Sequence, residues 1–205
     1  MSEYKKFSKI DHRAGKIHLI LGPMYAGKTT ELIRLRNRAK FAGKNCLIIK
    51  YFKDNRYDIE KLCTHDQLKV DALISEGNNL SKTLLKIPNL TDYDCLFIDE
   101  IQFYEDGATT CDQLANEGYE VIVCGLQSNF KRQTFKVISE LLGLSDYLTH
   151  LTAIDSKTGN EASFTDRLTN ETEEEVIGGH DTYIAVDRSH YFAINAKNKI
   201  DLSKI

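Results

Sequence analysis

The chain has only two prolines and no internal repeat. With 41% hydrophobic residues over 205 positions, that scarcity excludes wholesale disorder and a low-complexity array. It also lacks an excess of positive charge. Thirty Asp and Glu outnumber 27 Lys and Arg, and the formal charge of −3 removes any global electrostatic case for a nucleic-acid polymer as partner. The local run Arg34, Arg36, Arg38 and Lys40 has the pattern of a solvated helix face. No stretch is long and apolar enough to span a bilayer, and MSEYKKFSKIDHRAG lacks the apolar core of a signal peptide. No membrane partner is expected, and the expected location is cytoplasmic. The five cysteines (Cys46, Cys63, Cys95, Cys111 and Cys124) are odd in number and form no C-x-x-C pair. Cys46, Cys95 and Cys124 sit in apolar runs, as reduced core thiols do, so no disulfide framework is expected.

What is present points to one domain, or one domain with a small appendage. Strand-like runs occur at IHLIL (17–21), CLIIK (46–50), CLFI (95–98) and VIVCGL (121–126). They are continuous and β-branched, as strands buried on both faces are. Between them, Leu32, Leu35, Ala39 and Ala42 follow helical spacing up to Gly43, and Ala108, Cys111, Leu114 and Ala115 do so up to Gly118. A third stripe, Phe135, Ile138, Leu141 and Leu142, ends at Gly143. Alternating strands and helices predict an α/β fold with a mostly parallel sheet and flanking helices.

The pattern changes near residue 149. LTAIDSKTGNEASFTDRL predicts a hairpin turning at 157–160, and the acidic NETEEE (170–175) then leads to VIGGHDTYIAV. The expected organisation is a nucleotide-binding α/β domain at 1–148, a small β-rich module at 149–193 and a mobile tail at 194–205.

The chemistry is concentrated in GPMYAGKT, residues Gly22, Pro23, Met24, Tyr25, Ala26, Gly27, Lys28 and Thr29. It matches G-x-x-x-x-G-K-[ST] and lies between a strand and a helix, where that motif belongs. The loop amides and positive helix end suit phosphates, Lys28 reaches the outer ones, and the Thr29 hydroxyl ligates Mg²⁺. At the end of CLFIDE, Asp99 occupies the position of the second Mg²⁺-side carboxylate. Its neighbour Glu100 can position water or accept a proton from a hydroxyl. These motifs alone fit either a P-loop ATPase working as a motor or switch, or a transferase to a small acceptor. The compact chain and its second module, able to close over an acceptor, favour the transferase.

Across roughly residues 16–192 the sequence resembles the type II thymidine kinases, the family that includes the human cytosolic enzyme. The stretches that carry this are GPMYAGKTTEL (22–32), IKYFKDNRY (49–57), CTHD (63–66), IDEIQF (98–103), VIVCGLQSNFKRQTF (121–135), LTAI (151–154), TDRL (165–168) and EVIGGHDTY (175–183). The resemblance implies a RecA-like P-loop domain with a lasso domain, ATP as phosphoryl donor, Mg²⁺, thymidine as acceptor, feedback inhibition by dTTP and a homotetramer. It makes Glu100 the base toward the thymidine 5′-hydroxyl and places Asp54 and Arg56 near phosphates and sugar. Met24, Gln102, Phe103, Leu126, Phe130 and Thr165 match the thymidine pocket, and Tyr183 adds an aromatic wall. Glu174, Glu175, Val176, Ile177 and Gly178 match the lasso loop, whose main chain reads the pyrimidine edge. One feature departs from the family. Its four zinc-binding cysteine positions hold Asp155, Thr158, Asp187 and His190 here. Structural zinc relies on thiolate and imidazole, so no structural zinc is expected, and hydrogen bonds among these side chains are expected instead.

Overall fold

The structure, a computed structural model, describes residues 14–54, 61–63, 69–169 and 182–195. Arg56, the stretch from Glu174 to Gly178 and the expected tail beyond residue 195 lie outside them. In chain order the elements are β1 (Lys16–Gly22), α1 (Lys28–Phe41), β2 (Cys46–Lys50), β3 (Lys61–Cys63), β4 (Lys69–Asp71), β5 (Leu73–Ile74), α2 (Leu80–Leu85) and β6 (Cys95–Ile98). Then follow α3 (Gly107–Asn116), β7 (Glu120–Leu126), α4 (Lys136–Leu144), β8 (Tyr147–His150), β9 (Ala153–Ile154), β10 (Glu161–Ala162), β11 (Phe164–Arg167), β12 (Tyr183–Val186) and α5 (Arg188–Ile194).

Six strands make the main sheet in the order β5-β2-β6-β7-β1-β8, and every neighbouring pair is parallel. The continuous apolar runs follow from burial on both faces. Leu19, Leu21, Leu96, Ile98, Val121 and Val123 face one cluster, which α2, α3 and α4 complete through Leu84, Leu114 and Ile138. Their strand neighbours Ile20, Phe97, Ile122 and Cys124 face the other, closed by Leu32 and Ile33 of α1. Successive side chains leave a strand on opposite faces, so one run supplies both layers. Fully buried Phe97 shows what this packing is worth; cutting such a ring to alanine costs about 3–5 kcal/mol.

The helices end near their expected stops, except that Gly143 lies within α4, whose last turn closes on Ser145 Oγ donating to Leu141 O at 2.6 Å. The sixth strand, β8, lies at the sheet edge and straddles residue 148. Its Tyr147 and Leu148 are exposed, so YLTH carries no buried-strand signature. The predicted hairpin is real but short. β9 pairs with β10, whereas β11 pairs antiparallel with β12 from beyond the acidic stretch. The chain changes partner at Ser163, whose carbonyl accepts a hydrogen bond from Gln127 Nε2 at 2.6 Å.

Candidate active site

The carboxyl ends of β1, β7 and β6 lie side by side, and the loops leaving them form the site. After β1 the chain turns through Tyr25 (φ 64°) and Gly27 (φ 79°) before α1 begins at Lys28. The left-handed turn at Gly27 has little steric cost without a side chain and brings the loop amides toward the helix start. Lys28 Nζ donates to the Pro23 carbonyl at 2.7 Å. Thr29 Oγ1 faces the Asp99 carboxylate at 3.4 and 3.5 Å.

Asp99, at the end of β6, is buried. Its Oδ1 accepts the Cys124 thiol at 2.8 Å and the Glu100 backbone N–H at 3.1 Å. Burial, followed by the charge of Asp99, pushes the Cys124 thiol well above the usual range, so it stays a neutral donor. The sequence placed this cysteine in the core without assigning it a partner. Glu100 follows in the left-handed region at φ 53°, a costly conformation of roughly 1–3 kcal/mol for a residue with a side chain. Its Oε2 accepts Gln102 Nε2 at 2.6 Å, while Gln102 Oε1 accepts the Leu126 N–H at 3.1 Å.

The phosphate loop is tied to the β11–β12 ribbon. Met24 N donates to Thr165 Oγ1 at 2.9 Å, and Tyr25 OH donates to Tyr183 O at 3.3 Å. Tyr25 and Ala26 also pack on Ala153, Ala162 and Ala185. Phe103 belongs partly to the core, stacked on Tyr51 with centroids 4.9 Å apart. Asp54 is buried just beyond β2, its N–H donating to Tyr51 O at 3.0 Å.

Arg167 is a site neighbour that motif matching passed over. Its guanidinium lies 4.0 Å from the Phe130 ring centroid and 5.2 Å from that of Tyr183. Arg167 Nη2 also donates to Tyr183 OH at 2.7 Å. Tyr191 OH holds the Phe130 carbonyl at 3.0 Å. The available signal was an arginine within the TDRL stretch.

The residues at the family's zinc positions form a hydrogen-bonded knot. Asp187 Oδ1 accepts the Ser189 hydroxyl and the His190 N–H, both at 2.7 Å. Its Oδ2 accepts the Thr158 hydroxyl at 2.7 Å and the Asn160 amide at 3.0 Å. Asp155 Oδ1 accepts the backbone N–H groups of Lys157 and Thr158 at 2.9 and 3.4 Å. Its Oδ2 accepts the Asp187 N–H at 2.9 Å and pairs with His190 Nδ1 at 2.7 Å. The backbone N–H of His190, then the Asn160, Ser189 and Thr158 side chains, hold the Asp187 carboxyl well below the usual range. For Asp155, burial acts upward, but the Asp187 and Lys157 amides and His190 outweigh it and the net shift is down.

A glycine-turned phosphate loop and a buried strand-end aspartate facing the loop's threonine define a P-loop nucleotide-binding protein. The thymidine kinase family model matches residues 15–191. The chain is 45% identical over 177 residues to the thymidine kinase of Vaccinia virus (strain Western Reserve), covering 86% of this chain and 97% of that protein. It is 44% identical over 177 residues to that of Monkeypox virus, with the same coverage, and 42% identical over 179 residues to that of Rabbit fibroma virus (strain Kasza), covering 87% and 97%. Among solved structures, domain III of the Thermotoga maritima replication initiation protein DnaA has a TM-score of 0.38 at 16% identity, covering 72% of this chain and 59% of that one. The chain belongs to the thymidine kinase family, and its activity is the phosphorylation of thymidine. Among the described residues, no helix is long and apolar enough to cross a membrane.

Proposed function

We propose that ATP donates the phosphoryl group to the thymidine 5′-hydroxyl and that Glu100 takes the hydroxyl proton. The observation that carries this is Glu100 itself, held in a strained backbone conformation directly after the buried Asp99. Phosphoryl transfer has a loose transition state, so the carboxylate acts mainly by holding the hydroxyl in line. Lys28 exchanges its Pro23 carbonyl for phosphate oxygens and neutralises charge there, together with the loop amides.

Thr29 and Asp99 present hard oxygen donors to each other across 3.4–3.5 Å, a donor set suited to Mg²⁺, and are the residues that would hold it. When bound, the ion neutralises phosphate charge. Zinc does not fit the knot at Asp155 and Asp187. Every carboxylate oxygen there already takes two partners, and no thiolate is present.

On the acceptor side, Phe130 and Tyr183 are the flat walls, Met24, Phe103, Leu126 and Thr165 line the pocket, and Arg167 holds the two walls in place. Asp54 and Arg56 act near phosphates and sugar, and the lasso stretch from Glu174 to Gly178 closes over the pyrimidine. This reading divides the chain into a P-loop domain to about residue 148 and a lasso domain to about 193. It makes the protein a cytoplasmic homotetramer in deoxypyrimidine salvage, inhibited by dTTP bound with its base in the acceptor pocket.

ATP consumption measured with and without thymidine tests the reading. Turnover should require thymidine and yield dTMP, deoxyguanosine should be rejected, and dTTP should inhibit. Equal turnover without thymidine, or efficient phosphorylation of deoxyguanosine, would sink it.

A further inference from the structure

The amide of Gln102 is occupied at both ends, 7% exposed, and touches the proposed base. The Leu126 backbone N–H has no proton-accepting capacity, so the group facing it at 3.1 Å must be the carbonyl oxygen Oε1. That fixes the rotation of the amide and leaves Nε2, a donor only, toward the Glu100 carboxylate at 2.6 Å. A third residue closes the arrangement. A Cβ built at Gly125 would lie 2.5 Å from Gln102 Oε1 and 2.9 Å from Ile101 Cγ2. The bare backbone of β7 is therefore what lets Gln102 reach across from its own turn to the β7 main chain.

We propose that Gln102 is a positioning residue for Glu100, not a reader of the base. It anchors the carboxylate to the end of β7 through the relay Leu126 N–H, Gln102, Glu100. The proposal rests on Glu100 being the base. The physical need is clear: Glu100 sits on a strained turn and its side chain has several rotamers of similar energy. A donor fixed at its far end restricts them to one, and in-line transfer depends on placement within a fraction of an ångström.

The test is a double-mutant cycle on steady-state kinetics. Gln102→Ala should lower kcat by about 10–100-fold with thymidine KM within about twofold, because it removes orientation and not ground-state binding. In a Glu100→Gln background, which keeps the shape, adding Gln102→Ala should cost less than about twofold, since the two residues act as a unit. Gly125→Ala should lower kcat in the same way by pushing the amide aside, again only while Glu100 is present. Gln102→Glu keeps the size and the acceptor for Leu126 N–H but sets a carboxylate against Glu100, and it should be at least as slow as Gln102→Ala. ATP binding and Tm, measured for each variant, separate this from unfolding. A Gln102→Ala enzyme with raised thymidine KM and unchanged kcat would show direct contact with substrate and overturn the proposal. So would the same fold loss in both backgrounds. Wild-type kcat in Glu100→Gln alone would instead remove the base assignment itself.

Discussion

Met24, inside the phosphate loop, gives its backbone N–H to the hydroxyl of Thr165 on the β11–β12 ribbon, 141 residues later in the chain. The loop that suits the donor phosphates and the ribbon that carries Tyr183 are therefore a single hydrogen-bonded unit.

Thr165→Val keeps the shape of the side chain and removes the acceptor. The Met24 N–H is then buried without a partner, at a cost of about 1–3 kcal/mol. Each kcal/mol lowers Tm by about 2–4 °C in a chain of this size. Steady-state kinetics should show KM rising for ATP as well as thymidine. A rise for thymidine alone would mean the hydroxyl serves only the acceptor.

Arg167→Met removes the cation from the Phe130 and Tyr183 rings while retaining an apolar body. Desolvated cation–π contacts contribute up to about 2 kcal/mol, so thymidine KM should rise about tenfold. ATP KM should stay within about twofold of wild type. Arg167→Lys should recover little, because a point charge cannot both cover a ring and meet the Tyr183 hydroxyl. An unchanged thymidine KM in Arg167→Met would show that the rings need no such support.

On the proposed reading, Lys28→Ala deletes the fixed charge beside the transferred phosphate. A loss of at least about 10²–10³ in kcat is expected, the effect of removing one preorganised donor. Calorimetry should find thymidine binding largely intact, since Lys28 reaches the phosphate side of the site. Weakened thymidine binding with normal kcat would reverse the assignment.

The knot at Asp155 and Asp187 gives a pH dependence of known sign. Both folded carboxyls titrate below their unfolded value of about 3.9. Their contribution to stability is therefore fully present above that value and is lost as pH falls through the lower folded values. Thermal melts should show Asp187→Asn less stable than wild type at pH 7 and with a shallower decline below about pH 4. A parallel decline in both proteins would show that the carboxylate does not carry the effect. Elemental analysis of the same preparation should find no stoichiometric zinc, and activity should survive a strong chelator once Mg²⁺ is restored.

The parallel sheet was legible because two-sided burial leaves continuous apolar runs, as in CLFI and VIVCGL. The phosphate loop was legible because its glycines, lysine and threonine are consecutive. β8 was not, since an exposed edge strand needs no apolar pattern, and α5 was not, since it begins at the Asp187 cap inside a stretch read for metal ligands. Arg167 and Cys124 were seen only as a strand residue and a core thiol. Their partners, Tyr183 and Asp99, are 16 and 25 residues away and meet them only once the strands pair. Spacing in sequence carries no trace of such meetings. Thr165 was singled out as an acceptor-pocket position, whereas in the structure its hydroxyl accepts the Met24 N–H of the loop backbone, which a motif match cannot reveal.

The 2.5 Å clearance between a Cβ at position 125 and Gln102 Oε1 also limits how this enzyme can evolve. A side chain at Gly125 forces Gln102 Oε1 and, at 2.9 Å, Ile101 Cγ2 to shift. Shortening Gln102 first removes one of these clashes but leaves Ile101 Cγ2, and on the proposal above it also costs the Glu100 carboxylate its Gln102 donor. On this proposal the positions 100, 102 and 125 are coupled, and a change at one alters what the other two tolerate. Drift should tend to reach them together.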